Sequence, residues 1–251
     1  MAVILRRLIA IPIKFHYSLM DVRVHDSHRY PSHLRVLGRN LSLKCPNPPS
    51  FTTSLAMPKD YENVMNLMCE SYFKYEPSIV NIGLSGRAPA SLMHFVQEHL
   101  REGMTLVARG QDNCIVGAAI NVGSCPWDPE RAISFANCCE CGPAKDLIKF
   151  YAYVTMQPRL WERFCVLKIF ECCYVTVHPD YQGQGLGKRL IQESWYLARD
   201  CGYSLFRIDC TSRYTAKIAE NFGWECVYKL PYRRYIEADE LVFNFLSPSS
   251  S

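Results

Sequence analysis

The feature that most constrains this chain is a strand, a loop and a helix in direct succession. Residues 166–177 form a nearly continuous apolar run rich in β-branched and aromatic side chains, the pattern of a strand buried on both faces. The run stops at His178-Pro179-Asp180, and Gln182-Gly183-Gln184-Gly185-Leu186-Gly187-Lys188 follows. Behind that loop, Leu190, Ile191, Ser194, Leu197 and Ala198 share one face of a helix over residues 185–201. A strand covered on both faces needs helices on both sides of its sheet, which points to an α/β domain. Glycines at a strand-to-helix turn expose backbone N–H groups, and the helix start adds a partial positive charge, so the turn is suited to hold an anion.

Spacing decides which anion. A dinucleotide fingerprint needs G-x-G-x-x-G, but Lys188 stands where its last glycine belongs. A Walker A loop needs G-x-x-x-x-G-K-[ST], but Gln182 and Arg189 occupy its first and last places. What remains is Q-x-x-G-x-G, with Gln182, Gly185 and Gly187 at the key positions.

Periodicity before and after this unit completes an α/β pattern. Residues 51–57 read as a short strand, and Pro58 and Asp60 open a helix in which Val64, Leu67, Met68, Ser71 and Tyr72 follow i, i+3, i+4 spacing until Pro77. A helix over 90–101 precedes strands at 105–109 and 115–122, which the turn Gln111-Asp112-Asn113 joins as a hairpin. Residues 124–164 are rich in cysteine and aromatics, carry mixed helical signals and read as an insertion. After the loop helix come a strand at 205–209, a helix at 212–222 and strands at 225–229 and 241–245. The order predicts a mixed sheet flanked by helices.

The formal charge of +4 belongs to one end of the chain. Residues 1–50 carry eight basic residues against Asp21 and Asp26, a net of +6, which leaves −2 for the other 201. No protein-wide field for a nucleic acid follows. No apolar run approaches the roughly 20 residues that cross a bilayer. Arg6, Arg7 and Lys14 among apolar residues fit a mitochondrial transit peptide over residues 1–20, and a disordered extension on a cytoplasmic protein fits equally. Pro46, Pro48 and Pro49 place a domain boundary near residue 50, with a basic extension before it and one domain over 51–251.

The 13 cysteines are an odd number, and a domain of this size needs no disulfide staples, so they read as mostly reduced. Cys138 and Cys141 form a C-x-x-C without a second pair at zinc spacing, so no metal site is expected.

The Q-x-x-G-x-G loop, the Val175-Thr176-Val177-His178-Pro179 before it and the helix end Asn221-Phe222-Gly223-Trp224 resemble the GNAT acetyltransferase superfamily. Two further segments resemble its insect-type arylalkylamine N-acetyltransferases, the group of dopamine and serotonin acetyltransferases. Tyr72-Phe73-Lys74-Tyr75-Glu76-Pro77 matches a motif whose glutamate is the general base there, and Thr211 and Thr215 stand where two assisting serines are usual. The resemblance covers residues 51–246. It implies the GNAT acyltransferase fold, with a central mixed, mostly antiparallel twisted sheet flanked by helices. It also implies acetyl-CoA as co-substrate and a small arylalkylamine as acceptor, in a monomer with neither nucleic-acid nor membrane partners. Val175, Thr176, Val177, Gln182, Gly183, Gln184, Gly185, Leu186, Gly187, Lys188 and Ser212 are its implied cofactor contacts. Lys188 and Arg189 either neutralise CoA phosphates or form a solvated helix start.

The chemistry can be stated without the resemblance. Attack on a thioester needs a neutral amine, and an alkylammonium has a pKa of about 10, so a base is required. A glutamate among Tyr72, Phe73 and Tyr75 gains basicity from desolvation. Strand amides near Val175 and Val177 can serve the oxyanion if the strand splays from its neighbour. His178, between strand and proline, reads as a turn former more than as a second base. Many superfamily members carry a tyrosine as acid five residues before the Trp224 position, where this chain has Ala219. Thr211, Thr215 or Tyr214 remain as candidates, and the two threonines serve equally as helix caps. A protein or polyamine acceptor, and a non-catalytic acyl-CoA sensor, are the competing functions.

Overall fold

A computed structural model describes residues 14–21, 51–139, 142–237 and 240–241. Seven strands form one sheet: β1 (Lys14–Asp21), β2 (Thr52–Leu55), β3 (Leu106–Arg109), β4 (Ile115–Ser124), β5 (Ile169–Val177), β6 (Leu205–Cys210) and β7 (Glu225–Pro231). Their order is β2-β3-β4-β5-β6-β1-β7. Pairing is antiparallel from β2 to β5 and parallel from β5 through β6 and β1 to β7. The sheet is mixed, as the pattern of elements predicts, and β1 alone supplies two of the parallel pairings.

β1 lies in the segment that the prolines set apart as an extension. Its sequence alternates Phe15, Tyr17 and Leu19 with Lys14, His16 and Ser18, the two-residue period of a strand. The boundary near residue 50 therefore does not separate Lys14–Asp21 from the sheet. The remainder of residues 1–50, the proposed transit segment before Lys14 included, lies outside the described residues. So does most of the strand expected at 241–245, of which Leu241 pairs with Ile236 in a short hairpin, β8 (Ile236–Glu237) with β9 (Glu240–Leu241).

Helices cover both faces. On one face lie α1 (Tyr61–Leu67), α2 (Pro77–Asn81), α3 (Ala90–Leu100), α4 (Asp128–Asn137) and α5 (Gly142–Met156), packed into a core that includes Val64, Met68, Phe73, Ile79, Leu147 and Phe150. α6 (Leu160–Phe164) caps one end of the sheet with Leu160 and Trp161 against Ile169 and Leu205. The segment 124–164, with its mixed signals, is thus three helices. Burying each Leu, Ile or Phe of this kind is worth about 1.5–3 kcal/mol.

On the other face lie α7 (Leu186–Asp200) and α8 (Arg213–Asn221), with Leu186, Leu190, Ile191 and Ala198 on Phe170, Cys172 and Phe206. Gly117 lets α7 come close, because a Cβ there would stand 3.1 Å from Leu190 Cδ1 and 3.2 Å from Leu186 Cδ2. The described cysteines are free thiols; Cys141 of the C-x-x-C lies outside them.

Candidate active site

The helix that begins at Tyr61 does not run straight to its proline. Met68–Tyr72 is a π-helical turn, and Phe73–Tyr75 a final α turn. Such a turn inserts one residue into the helix and is frequent at functional sites. The residue before a proline is sterically excluded from the α region, and Glu76 accordingly adopts φ −66°, ψ 129°. The helix breaks there, α2 restarts with Pro77 in its first turn, and Glu76 becomes its N-cap.

The Glu76 side chain is buried, at 7% exposure. Its Oε2 accepts from Ile79 N at 2.9 Å and from Ser78 Oγ. Its Oε1 is enclosed and has no hydrogen-bond partner. Burial raises the carboxyl pKa above its ordinary value, while the Ser78 and Ile79 donors and the nearby Thr211 side chain pull it down. The Glu76 charge raises the pKa of Tyr72, Tyr151, Tyr174 and Tyr232, and the Tyr151 hydroxyl lies 2.7 Å from Ser78 Oγ.

A wedge opens beside this carboxyl. β5 and β6 pair over Phe170↔Phe206, Glu171↔Arg207 and Cys172↔Ile208, and pairing stops there although β5 runs on to Val177. The cause is a bulge. Opposite β4, Ile120 pairs with Tyr174 and Asn121 with Cys172, which leaves Cys173 as an extra residue that bends β5. His178 N–H donates to Val116 O of β4 at 2.9 Å. Amides alternate sides along a strand, so the N–H groups of Val177 and Val175 point into the wedge.

At the end of β5 the chain turns into α7. Gly183 and Gly185 hold φ of 74° and 81°, the left-handed region that glycine adopts freely, and a Cβ at either would meet nothing within 4 Å. The loop amides are therefore open to an anion at the start of a 15-residue helix. Gln182 Nε2 donates to Val177 O at 3.1 Å and ties the loop to the strand end. His178 Nδ1 accepts from Asp180 N at 3.3 Å, a turn-forming role.

A family model described as "Acetyltransferase (GNAT) domain" matches residues 144–226, the stretch that holds the wedge and the loop. Residues 144–226 carry this GNAT match. Among solved structures it is similar to a mosquito arylalkylamine N-acetyltransferase like 5b, with TM-score 0.74 and 23% identity over 78% of this chain and 93% of that one. An arylalkylamine N-acetyltransferase 2 from Aedes aegypti gives 0.72 and 24% over 79% and 94%. A Drosophila melanogaster polyamine N-acetyltransferase gives 0.72 and 22% over 79% and 95%. At these identities the likeness is one of fold. GNAT acetyltransferases bind acetyl-CoA and an amine, and an open amide loop beside a splayed strand fits the phosphates and the thioester arm of such a donor.

Within this GNAT domain the sequence-predicted contacts divide by the part of the residue that is free. Val175, Val177, Gly183, Gln184, Gly185 and Gly187 line the strand end and loop. Leu186 is buried in the core and Thr176 is 5% exposed with its hydroxyl on Ser71, so both can serve a ligand only through the backbone. Lys188 Nζ lies 5.4 Å from the centre of the Phe222 ring. Arg189 is engaged elsewhere, donating to Phe51 O at 2.9 Å and pairing with Glu193 at 2.8 Å.

The two threonines separate. Thr211 leans toward Glu76, whereas the Thr215 hydroxyl lies 3.0 Å from Ser212 Oγ. Ser212 is the N-cap of α8, accepting from Thr215 N at 3.2 Å, so neither threonine is the cap. Tyr214 is 74% exposed and points away from the buried site. Ala219 is buried against Trp224 and its neighbours and offers no hydroxyl. Sequence reasoning missed Ser78 and Tyr151. Ser78 stands two residues beyond Glu76 and was legible as part of a capped helix start, but Tyr151 belongs to the insertion and carries no local signal.

Proposed function

We propose that the protein transfers acetyl from acetyl-CoA to the primary amine of a small arylalkylamine, with Glu76 as the general base. The observation that carries this reading is the enclosed, unpartnered Oε1 of Glu76. A buried acceptor without a donor is costly, by about 1–3 kcal/mol, and an amine N–H supplies what is missing. Raised basicity lets the same oxygen take the proton that the amine loses on attack. The ring of tyrosines supports an aromatic body on that amine.

The residues then divide the work. Amides of Val175 and Val177 stabilise the oxyanion, and the loop from Gln182 to Gly187 holds phosphate. Thr211, beside the base, gives a proton to the departing thiolate and recovers one from Glu76. Thr215 and Ser212 order the turn that presents Thr211.

A second reading, a polyamine acceptor, draws on charge. Glu171 and Asp209 flank the single Arg207, so two carboxylates share one buried cation, which favours an acceptor with a second cation. A thiol-release assay with acetyl-CoA against dopamine, tryptamine, agmatine and spermidine separates the two. Turnover of the aromatic amines above the aliphatic ones supports the first reading, and the reverse order replaces it. No turnover with any amine refutes both.

A further inference from the structure

We propose that Tyr151 and Ser78 are positioning residues: a directed chain of hydrogen bonds from the insertion pins Oε2 of Glu76 and leaves Oε1 to meet the substrate. This rests on Glu76 being the base.

The direction of the chain follows from counting protons. Ser78 is fully buried, and its hydroxyl donates to Glu76 Oε2. A serine hydroxyl has one proton. Tyr151 OH, 2.7 Å from Ser78 Oγ, must therefore be the donor of that contact. The order is Tyr151 to Ser78 to Glu76, each oxygen accepting from the one before it.

Two consequences follow for the base. First, a carboxylate is a flat group with two equivalent oxygens, and donors fixed on one of them decide which is left for the amine. Ile79 N–H and the Ser78 hydroxyl both select Oε2. Second, every donor in the chain favours the charged carboxylate and opposes the burial that favours the neutral acid. The Glu76 charge acts on phenols from four elements: Tyr72 from the α1 extension, Tyr151 from α5, Tyr174 from β5 and Tyr232 from the turn after β7. Asp209 of β6 acts on Tyr151. Burial works against ionisation of Glu76 and the Ser78 and Ile79 donors work for it, so the chain keeps Glu76 usable as a base near neutral pH.

The test is a titration of the full chain labelled with 13Cδ-glutamate, in which the Glu76 carboxyl signal is the one absent from Glu76→Gln. The pH dependence of kcat/KM with acetyl-CoA and tryptamine accompanies it. Ser78→Ala is expected to move the Glu76 titration upward by about one pH unit, and Tyr151→Phe by about half a unit. Ser78→Thr, which keeps the hydroxyl, restores the wild-type titration, and the acid limb of kcat/KM moves in parallel while KM for acetyl-CoA stays. Titrations of Ser78→Ala and Tyr151→Phe that coincide with wild type overturn the positioning role and leave the base assignment standing. A Glu76→Gln variant with wild-type turnover overturns the base assignment itself, and the positioning role with it.

Discussion

Ser71 and Thr176, 105 residues apart, share a hydrogen bond of 2.5 Å between the π-helical turn and β5. Ser71 Oγ also donates to Leu67 O at 3.0 Å, so Thr176 is the donor of the pair. This contact joins the segment that carries Glu76 to the strand whose amides face the wedge.

Replacing either partner, by Ser71→Ala or Thr176→Val, is expected to lower kcat by about tenfold through loss of alignment, at a stability cost of about 1 kcal/mol. KM for acetyl-CoA stays within twofold of wild type by the same argument that only alignment is lost. Steady-state kinetics on both substrates checks the split, and a changed KM with unchanged kcat would contradict it.

Glu76→Gln removes the proposed base and with it a costly charge. A carboxyl with a raised native pKa holds more protons folded than unfolded between the two pKa values, so its ionisation weakens the fold as pH rises through that window. The amide variant is therefore expected to be nearly inactive and yet more stable at pH 8, by about 2–4 °C for each 1 kcal/mol gained. Thermal melts at pH 4 and pH 8 should show the gain only at the higher pH. In wild type, kcat/KM rises with pH through an acid limb above the ordinary glutamate range, a limb that is lost in the variant.

Arg207 is fully buried, with Glu171 Oε2 at 3.4 Å, Thr155 Oγ1 at 2.8 Å and both oxygens of Asp209 on its guanidinium. Burial holds the Glu171 pKa up even against this cation. Arg207→Met leaves two largely buried carboxylates on adjacent strands without their cation, and should cost about 3–5 kcal/mol in a denaturant titration. Arg207→Lys keeps the charge but loses the fork, and falls between.

Gly185 sits at φ 81° at the start of α7. An alanine there is strained by about 1–2 kcal/mol, and relief by rotation turns the loop amides away from the anion. Gly185→Ala is expected to raise KM for acetyl-CoA at least about fivefold, the ratio that 1 kcal/mol gives, with less effect on KM for the amine. Isothermal titration with CoA measures the same loss directly.

Much of the site was legible in the chain because its causes are local. The Glu-Pro pair fixes a helix break by the steric clash of the proline ring with the preceding residue, and the structure has that break at Glu76. The glycines announce the left-handed turns that open the loop. The splay predicted beside Val175 and Val177 is present, but its cause, the bulge at Cys173, has no signature in a run of apolar residues. Ser212 was legible as a polar residue before a helix; that its side chain caps the helix, in place of either threonine, depended on backbone angles that only the folded turn provides.

The sequence by itself determined the strand, the glycine loop and the helix break at Glu76, the proposed base, since each follows from neighbouring residues acting on one another's backbone. Tertiary structure decided what surrounds the base. Ser78 meets Tyr151 across 73 residues, and β1 fits between β6 and β7 from the far end of the chain. Such contacts depend on which surfaces the packed core brings together, and periodicity, which reports only that a face is apolar, does not name its partner.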